Sequence, residues 1–326
     1  MIEEITNDFY MITLPMPFRL QHVHVFLLCH GNRIALFDTG LDTPENLSTL
    51  AAALLKIGKT VQQIEHLFIT HYHLDHCGMA GRIKEMSGAA IHMSELSRPF
   101  TLRTDGEIQL VREFCLRHGL PQEATSGILD FLTKSRAEVA GPFRIDHSLP
   151  ALPDHERLRF GNWEFQAIAT PGHTHDHVSF YFPAEQILMA GDHVLPEITP
   201  NLGPDVFAPD FRPLSSFLAS LELIQAFPIK KVYPAHGRPF SNLQERIGEL
   251  KDHHEGRKKL ALASVKRGLK KNAFQISQDI FGSSLPEFDQ FLALSETHVH
   301  LIELVRAGEI CEAGEGSHKL YAPVVE

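Results

Sequence analysis

The chain has 326 residues, 43% hydrophobic and 21% charged, a size and composition that suit one large globular domain plus a small one and argue against disorder. No apolar run reaches the length of a membrane span, and the acidic N-terminus MIEEITNDFYMITLP lacks the basic-then-apolar order of a signal peptide, so a cytoplasmic location and no membrane partner are expected. A formal charge of −10 disfavours nucleic acid, and four scattered cysteines without a C-x-x-C pair leave any metal to nitrogen and oxygen ligands.

In chain order, the runs FYMITLP (9–15), VHVFLLC (23–29) and RIALFDTG (33–40) are rich in β-branched and aromatic residues and predict an opening β-meander. DTPENLSTLAAALLKIG (42–58) has a Pro near its start, apolar residues at helical spacing and a closing Gly, which predict a helix. The strand HLFIT (66–70) follows, then the segment THYHLDHCG (70–78) and a helical stretch at 78–88. Residues from about 94 to 140 read as a helical insertion, with amphipathic segments at 107–119 and 121–139. Strand signals return at 156–170, a hairpin turning at Gly161 and Asn162, and at 177–182 and 186–192. After a Pro-rich loop come a helix at 214–227, a strand at 230–237 and a helix from about 242. Beyond residue 256 the pattern changes to compact helices and two short strands flanking the turn EGS, which suggests a winged-helix-like appendage. The expected division is a catalytic domain at 1–255 and a small domain at 256–326.

The chain carries 21 histidines, an excess that position must sort. In an extended or tightly turning loop, His71 and His73 can face one point while Asp75 and His76 bend toward another, so one segment could begin two metal sites. Neither pair closes a site, because a four-coordinate ion needs more ligands. Three further loops, TPGHTHDH (170–177), AGDH (190–193) and PAHG (234–237), also carry His or Asp directly after a strand. Strand-end loops at one sheet edge are where such ligands converge on rigid support. Within GHTHDH, spacing leaves open which of His173, His175 and His177 is the ligand.

The ordered set H-x-H-x-D-H, P-G-H-T, G-D and A-H-G, with FDTG at 37–40 before it, resembles the metallo-β-lactamase superfamily, and within it the glyoxalase II-like hydrolases, over roughly residues 9 to 255. The resemblance implies an α/β (α+β) fold, a four-layer αββα sandwich with the metals at one edge of its two sheets and a small C-terminal winged-helix-like domain. Carried over by position, it implies one metal at His71, His73 and His173, a second at Asp75, His76 and His236, and Asp192 bridging both. Two such ions, about 3.5–4 Å apart, would share a hydroxide and clamp the attacking and leaving oxygens. Asp75 would also orient that hydroxide as a catalytic residue, and Asp38 and His177 would support the ligands from behind. His175 is expected to be solvent-exposed, and His24 and His193 are candidates for substrate contact.

The function expected is a dinuclear metal-dependent hydrolase acting on a small-molecule ester or thioester. Zn2+ is the expected cofactor, two ions per chain, although iron or manganese suits the same ligands. One alternative is a metal-dependent endoribonuclease on single-stranded RNA. A non-enzymatic alternative is a nucleic-acid-binding or dimerisation module with a vestigial metal site, and a homodimer stays open under each reading. The basic run at 256–271 reads chiefly as a solvated helix face, with an acidic-ligand or nucleic-acid surface as its functional counterpart.

Overall fold

The computed structural model describes residues 1–17, 19–97, 105–139, 152, 156–267, 270–314 and 318–324. Parts of the expected helical insertion (98–104 and 140), residues 268 and 269 of the basic run and the EGS turn at 315–317 lie outside the described residues.

Two sheets form the centre. The first joins β1 (Ile2–Thr6), β2 (Phe9–Pro15), β3 (His22–His30), β4 (Arg33–Phe37), β5 (Ile64–Phe68) and β6 (Ala90–His92) in chain order. The second holds β7 (Arg157–Phe160), β8 (Trp163–Ala169), β9 (Val178–Phe182), β10 (Ile187–Gly191) and β11 (Lys231–Pro234), in the order β11-β10-β9-β8-β7. The predicted hairpin turns at Gly161, in the left-handed region at φ +58°, and Asn162. β1 and β6 escaped the sequence reading because they are short edge strands with little apolar alternation.

Strand periodicity builds the layers. In β3, Val23, Val25, Leu27 and Cys29 face an outer core, whereas Phe26 and Leu28 face the second sheet. The outer core is closed by α1 (Pro44–Lys56) and by α3 (Ala80–Ser87), which follows the single turn α2 (Leu74–Cys77). Between the sheets lies an aromatic core in which Phe37 stacks on Phe68 at 5.0 Å and meets Phe165 and Phe180 edge-on at 5.3 and 5.0 Å. Beyond α4 (Asp105–Arg117) and α5 (Gln122–Val139), the helices α6 (Pro213–Gln225) and α7 (Leu243–Lys266) cover the far face of the second sheet. The layers therefore run αββα.

The C-terminal portion comprises α8 (Ala273–Phe281), α9 (Glu287–Arg306) and a three-stranded antiparallel sheet ordered β12 (Lys271–Asn272), β14 (Leu320–Pro323), β13 (Ile310–Glu312). Where the sequence suggested a break near Gly256, α7 continues through it, since one helical glycine costs only about 1 kcal/mol. Helices α4 and α5 share a core with this portion: Val111, Cys115 and Ile128 pack with Val265, Phe274 and Leu301. No helix among the described residues is long and apolar enough to cross a membrane.

Candidate metal centre

The parallel pairs β4·β5 and β10·β11 send their C-terminal ends to the same edge of the sandwich, so Asp38, His71, Asp192 and His236 emerge together. Backbone bonds stitch the sheets at that edge: the Val178 N–H donates to the Thr70 carbonyl and the His24 N–H to the Ala235 carbonyl, both at 2.8 Å. Of the extended and tightly turning forms expected for the loop at 71–76, the structure has the tight turn: His73 is the N-cap residue of the single turn α2, which carries Asp75 and His76. Three groups of donor atoms result, each with all atoms within 4.8 Å of one another: His71, His73 and His173; Asp75, His76 and His236; and His71, His76 and Asp192.

In the first group, Nδ1 of His73 lies 3.0 Å from Nε2 of both His71 and His173. In the second, His236 Nε2 stands 3.4 Å from an Asp75 oxygen, and His76 Nε2 stands 3.6 Å from the same oxygen. Asp192 reaches both groups: its Oδ1 is 3.6 Å from His76 Nε2 and 3.4 Å from His236 Nε2, while its Oδ2 is 3.6 Å from His173 Nε2. A tetrahedral ion with bonds of about 2.0–2.1 Å sets its ligand atoms roughly 3.3–3.4 Å apart, close to the spacing of the second group. His76 Nε2, His236 Nε2 and Asp192 Oδ1 are buried with no hydrogen-bond partner among the described residues. Buried polar atoms of this kind call for a partner, and nitrogen and oxygen donors at this spacing fit a divalent cation.

The opposite ring nitrogens are held. His76 Nδ1–H donates to Asp38 Oδ2 at 2.8 Å, and Asp38 also accepts from the Thr70 N–H and hydroxyl, each at 2.8 Å. His71 Nδ1–H donates to Thr70 Oγ1 at 3.0 Å, His173 Nδ1–H to the Asn201 carbonyl at 2.8 Å, and His236 Nδ1–H to the His22 carbonyl at 2.7 Å. Such contacts fix the tautomer and aim Nε2 into the centre.

The electrostatics separate two kinds of histidine. Burial, reinforced by neighbouring imidazoles, drives His71 well below the ordinary value and His73 down to about 3, leaving the neutral form that binds metal. Burial opposes charge on His76 and His236 too, but nearby carboxylates outweigh it. Asp75, Asp192 and Asp38 raise His76 well above its usual value, and Asp192 and Asp75 raise His236 to about 10. The carboxylates thus create a field that favours positive charge between these residues.

The remaining candidates fall outside this ring of donors. His177 Nε2 accepts the Asp192 N–H at 3.1 Å while its Nδ1–H donates to Thr170 Oγ1 at 2.8 Å, so it orients Asp192 from behind. His24 is not free to meet a substrate: Nδ1 accepts from Thr13 at 3.1 Å and Nε2–H donates to the Gly237 carbonyl at 2.8 Å, which braces the loop carrying His236. His193 has no exposed surface and packs edge-on against Phe217, 5.1 Å between centroids. His175, expected in solvent, is half-buried, stacked on Phe211 at 4.4 Å and 3.7 Å from Asp205. Thr70 and Asn201 went unnoticed in the sequence. Thr70 left a trace as a hydroxyl directly before the His motif, but Asn201 acts through its backbone carbonyl and leaves none.

Residues 19–236 match the sequence profile of the Metallo-beta-lactamase superfamily. The chain belongs to this superfamily. Within it, the chain is 26% identical to the "Probable metallo-hydrolase YqjP" of Bacillus subtilis over 96% of its length and 97% of that protein's. It is 24% identical to the "Beta-lactamase-like protein 2 homolog" of Caenorhabditis elegans, covering 91% of this chain and 83% of that one. Among solved structures, a metallo-beta-lactamase family protein from Thermus thermophilus superposes with a TM-score of 0.85 at 27% identity, over 98% of this chain and 100% of that one. The αββα layering and the edge cluster are this superfamily's fold, and the chain is a metallo-hydrolase with His and Asp groups suited to divalent metal.

Proposed function

We propose that the protein hydrolyses an ester or thioester with two divalent ions, most simply zinc, at the sheet edge. His71, His73 and His173 would hold one ion, Asp75, His76 and His236 the other, and Asp192 would bridge them. The observation that carries this reading is the placement of Asp192, whose two carboxylate oxygens each face a different group of imidazoles. When bound, such a pair would polarise a carbonyl and supply hydroxide near neutral pH.

The chain's own residues would do the rest. Asp38, Thr70, Asn201 and the His22 carbonyl hold the ligand rings in one orientation. Asp75 is about one-fifth exposed where His76 and His236 are closed in, so it can also accept and pass on a proton at the carboxylate oxygen facing substrate. Support for a thioester comes from relatives named atrochrysone carboxyl ACP thioesterase, one from Aspergillus fumigatus being 24% identical over 71% of this chain and 41% of its own length. The RNA reading gains no such support. In the basic run, Arg257 lies 3.4 Å from Glu296, Lys258 2.8 Å from Glu255 and Lys271 2.5 Å from Asp279, so these charges are locally balanced.

The test is a panel of thioesters, lactones, phosphodiesters and RNA, assayed with and without chelator. Chelator-sensitive turnover of thioesters or esters is expected. Turnover confined to phosphodiesters or RNA would contradict the reading.

A further inference from the structure

Among the described residues, the metal-binding edge opens on two cavities of different size. The larger, about 400 Å³, has His73, Asp75 and His173 at its floor. One wall is α9, which presents Phe288, Phe291 and Leu292; the facing wall is Val111, Phe114 and Leu132 from α4 and α5. Asp205 at its rim is bound by the Phe207 and Ala208 N–H groups at 2.8 and 3.1 Å and faces His175, so its charge is already engaged. Inside the apolar wall, Ser295 Oγ is buried without a hydrogen-bond partner among the described residues. Beside His236, a smaller cavity of about 220 Å³ is bordered by the polar Arg19, Gln21 and Glu197 and the apolar Leu20, Pro196 and Ile198. A carbonyl held between the two would therefore have the larger cavity on one side and, on the other, a smaller one that carries the charged Arg19 and Glu197.

We propose that the larger cavity receives the acyl group of the thioester, an apolar group of medium length, while the thiol portion lies toward Arg19 and Glu197. This rests on the hydrolase reading above and adds the substrate class to it. In the reaction the oxygen of water bonds to the carbonyl carbon as the C–S bond breaks. Of the water's two protons, one ends on the thiol and one is released from the acid, which is ionised at neutral pH. Aromatic and aliphatic side chains on both walls reward each methylene buried, and a cavity of this volume lies within the range of small-molecule sites. The consequence for the fold is that α9, from the C-terminal portion, selects the substrate of a site built by the two sheets. The same helix also contacts the site's support, since Asn201 Nδ2 lies 3.4 Å from the Leu292 carbonyl and the Asn201 carbonyl holds His173.

The experiment is a series of N-acetylcysteamine thioesters from acetyl to octanoyl, assayed with metal-loaded wild type, Ser295→Leu and Phe291→Ala. Binding of the non-hydrolysable octyl thioether is measured by calorimetry, and metal content is determined for each variant. Wild-type kcat/KM should rise about fourfold per methylene until the cavity fills. Ser295→Leu occupies the cavity without stranding a hydrogen-bond partner, and Phe291→Ala removes part of its wall. Each should lower the octanoyl-to-acetyl ratio of kcat/KM at least tenfold at wild-type metal content. A flat series, a preference for short acyl groups, or an unchanged ratio in both metal-replete variants overturns the proposal. If neither the thioesters nor the corresponding esters are turned over, the hydrolase reading fails separately. The acyl cavity then stands if wild type binds the octyl thioether and Ser295→Leu does not, and falls if neither binds or if both bind equally.

Discussion

The carboxylate of Asp38 lies 2.8 Å from Nδ1 of His76, and Asp38 holds this position with a left-handed backbone, φ +57°. A non-glycine residue in that region is strained by about 1–3 kcal/mol, and Asp tolerates it better than most. Three hydrogen bonds to Thr70 and His76 hold it there.

Asp38→Asn should therefore isolate the charge, because Asn also accepts a left-handed backbone and keeps the size of the side chain. Metal affinity should fall about 10–100-fold, as measured by competition with a chromophoric chelator. Unchanged affinity would mean that Asp38 supports the backbone alone.

Gly191 precedes Asp192 at φ +51°, and a Cβ there would lie 2.6 Å from His177 Nε2, the atom that accepts the Asp192 N–H. Gly191→Ala should destabilise the protein by at least about 1 kcal/mol from the backbone alone, read as a lower denaturation midpoint. Bound metal should also decrease, since displacing His177 releases Asp192. A variant with native midpoint and native metal content would refute the role given to this turn.

Two buried histidines outside the centre predict a pH dependence. Burial, aided by Lys319 and Arg117, lowers His118 to about 3, and burial aided by His300 lowers His254 to about 3. Both are neutral in the folded chain, whereas the unfolded chain takes up protons below about pH 6.5. Their contribution is therefore complete above pH 6.5 and is lost as pH falls toward 3, by up to about 1.4 kcal/mol per pH unit for each residue. Urea midpoints at pH 7.5 and 5.5 should differ less in the double variant His118→Phe, His254→Phe than in wild type. An equal difference in both would show that these residues do not set the dependence.

Much of this architecture was legible from local pattern. The meander, the hairpin at Gly161 and Asn162 and helix α1 each carry their own signals of alternation, turn chemistry and capping, and the structure has them at nearly the expected bounds. Positions of the donor residues were legible because each follows an apolar strand, and strands in this fold end at a common edge. What the sequence hid depends on tertiary contact. His24 and His193 sit beside donor motifs, yet the first is consumed by Thr13 and Gly237 and the second is enclosed against Phe217. Likewise the segments 107–119 and 121–139 read as an insertion of the sandwich, although their apolar faces meet the C-terminal helices, a pairing no local periodicity encodes.

The proposed chemistry requires two ions acting together across Asp192. The most direct measurement is the initial rate of thioester hydrolysis as zinc is added back in known equivalents to chelated protein. The rate should rise until two equivalents per chain are bound and then level off, with Asp192→Ala staying near background throughout. Full activity at one equivalent, or activity that persists after chelation, would contradict the account.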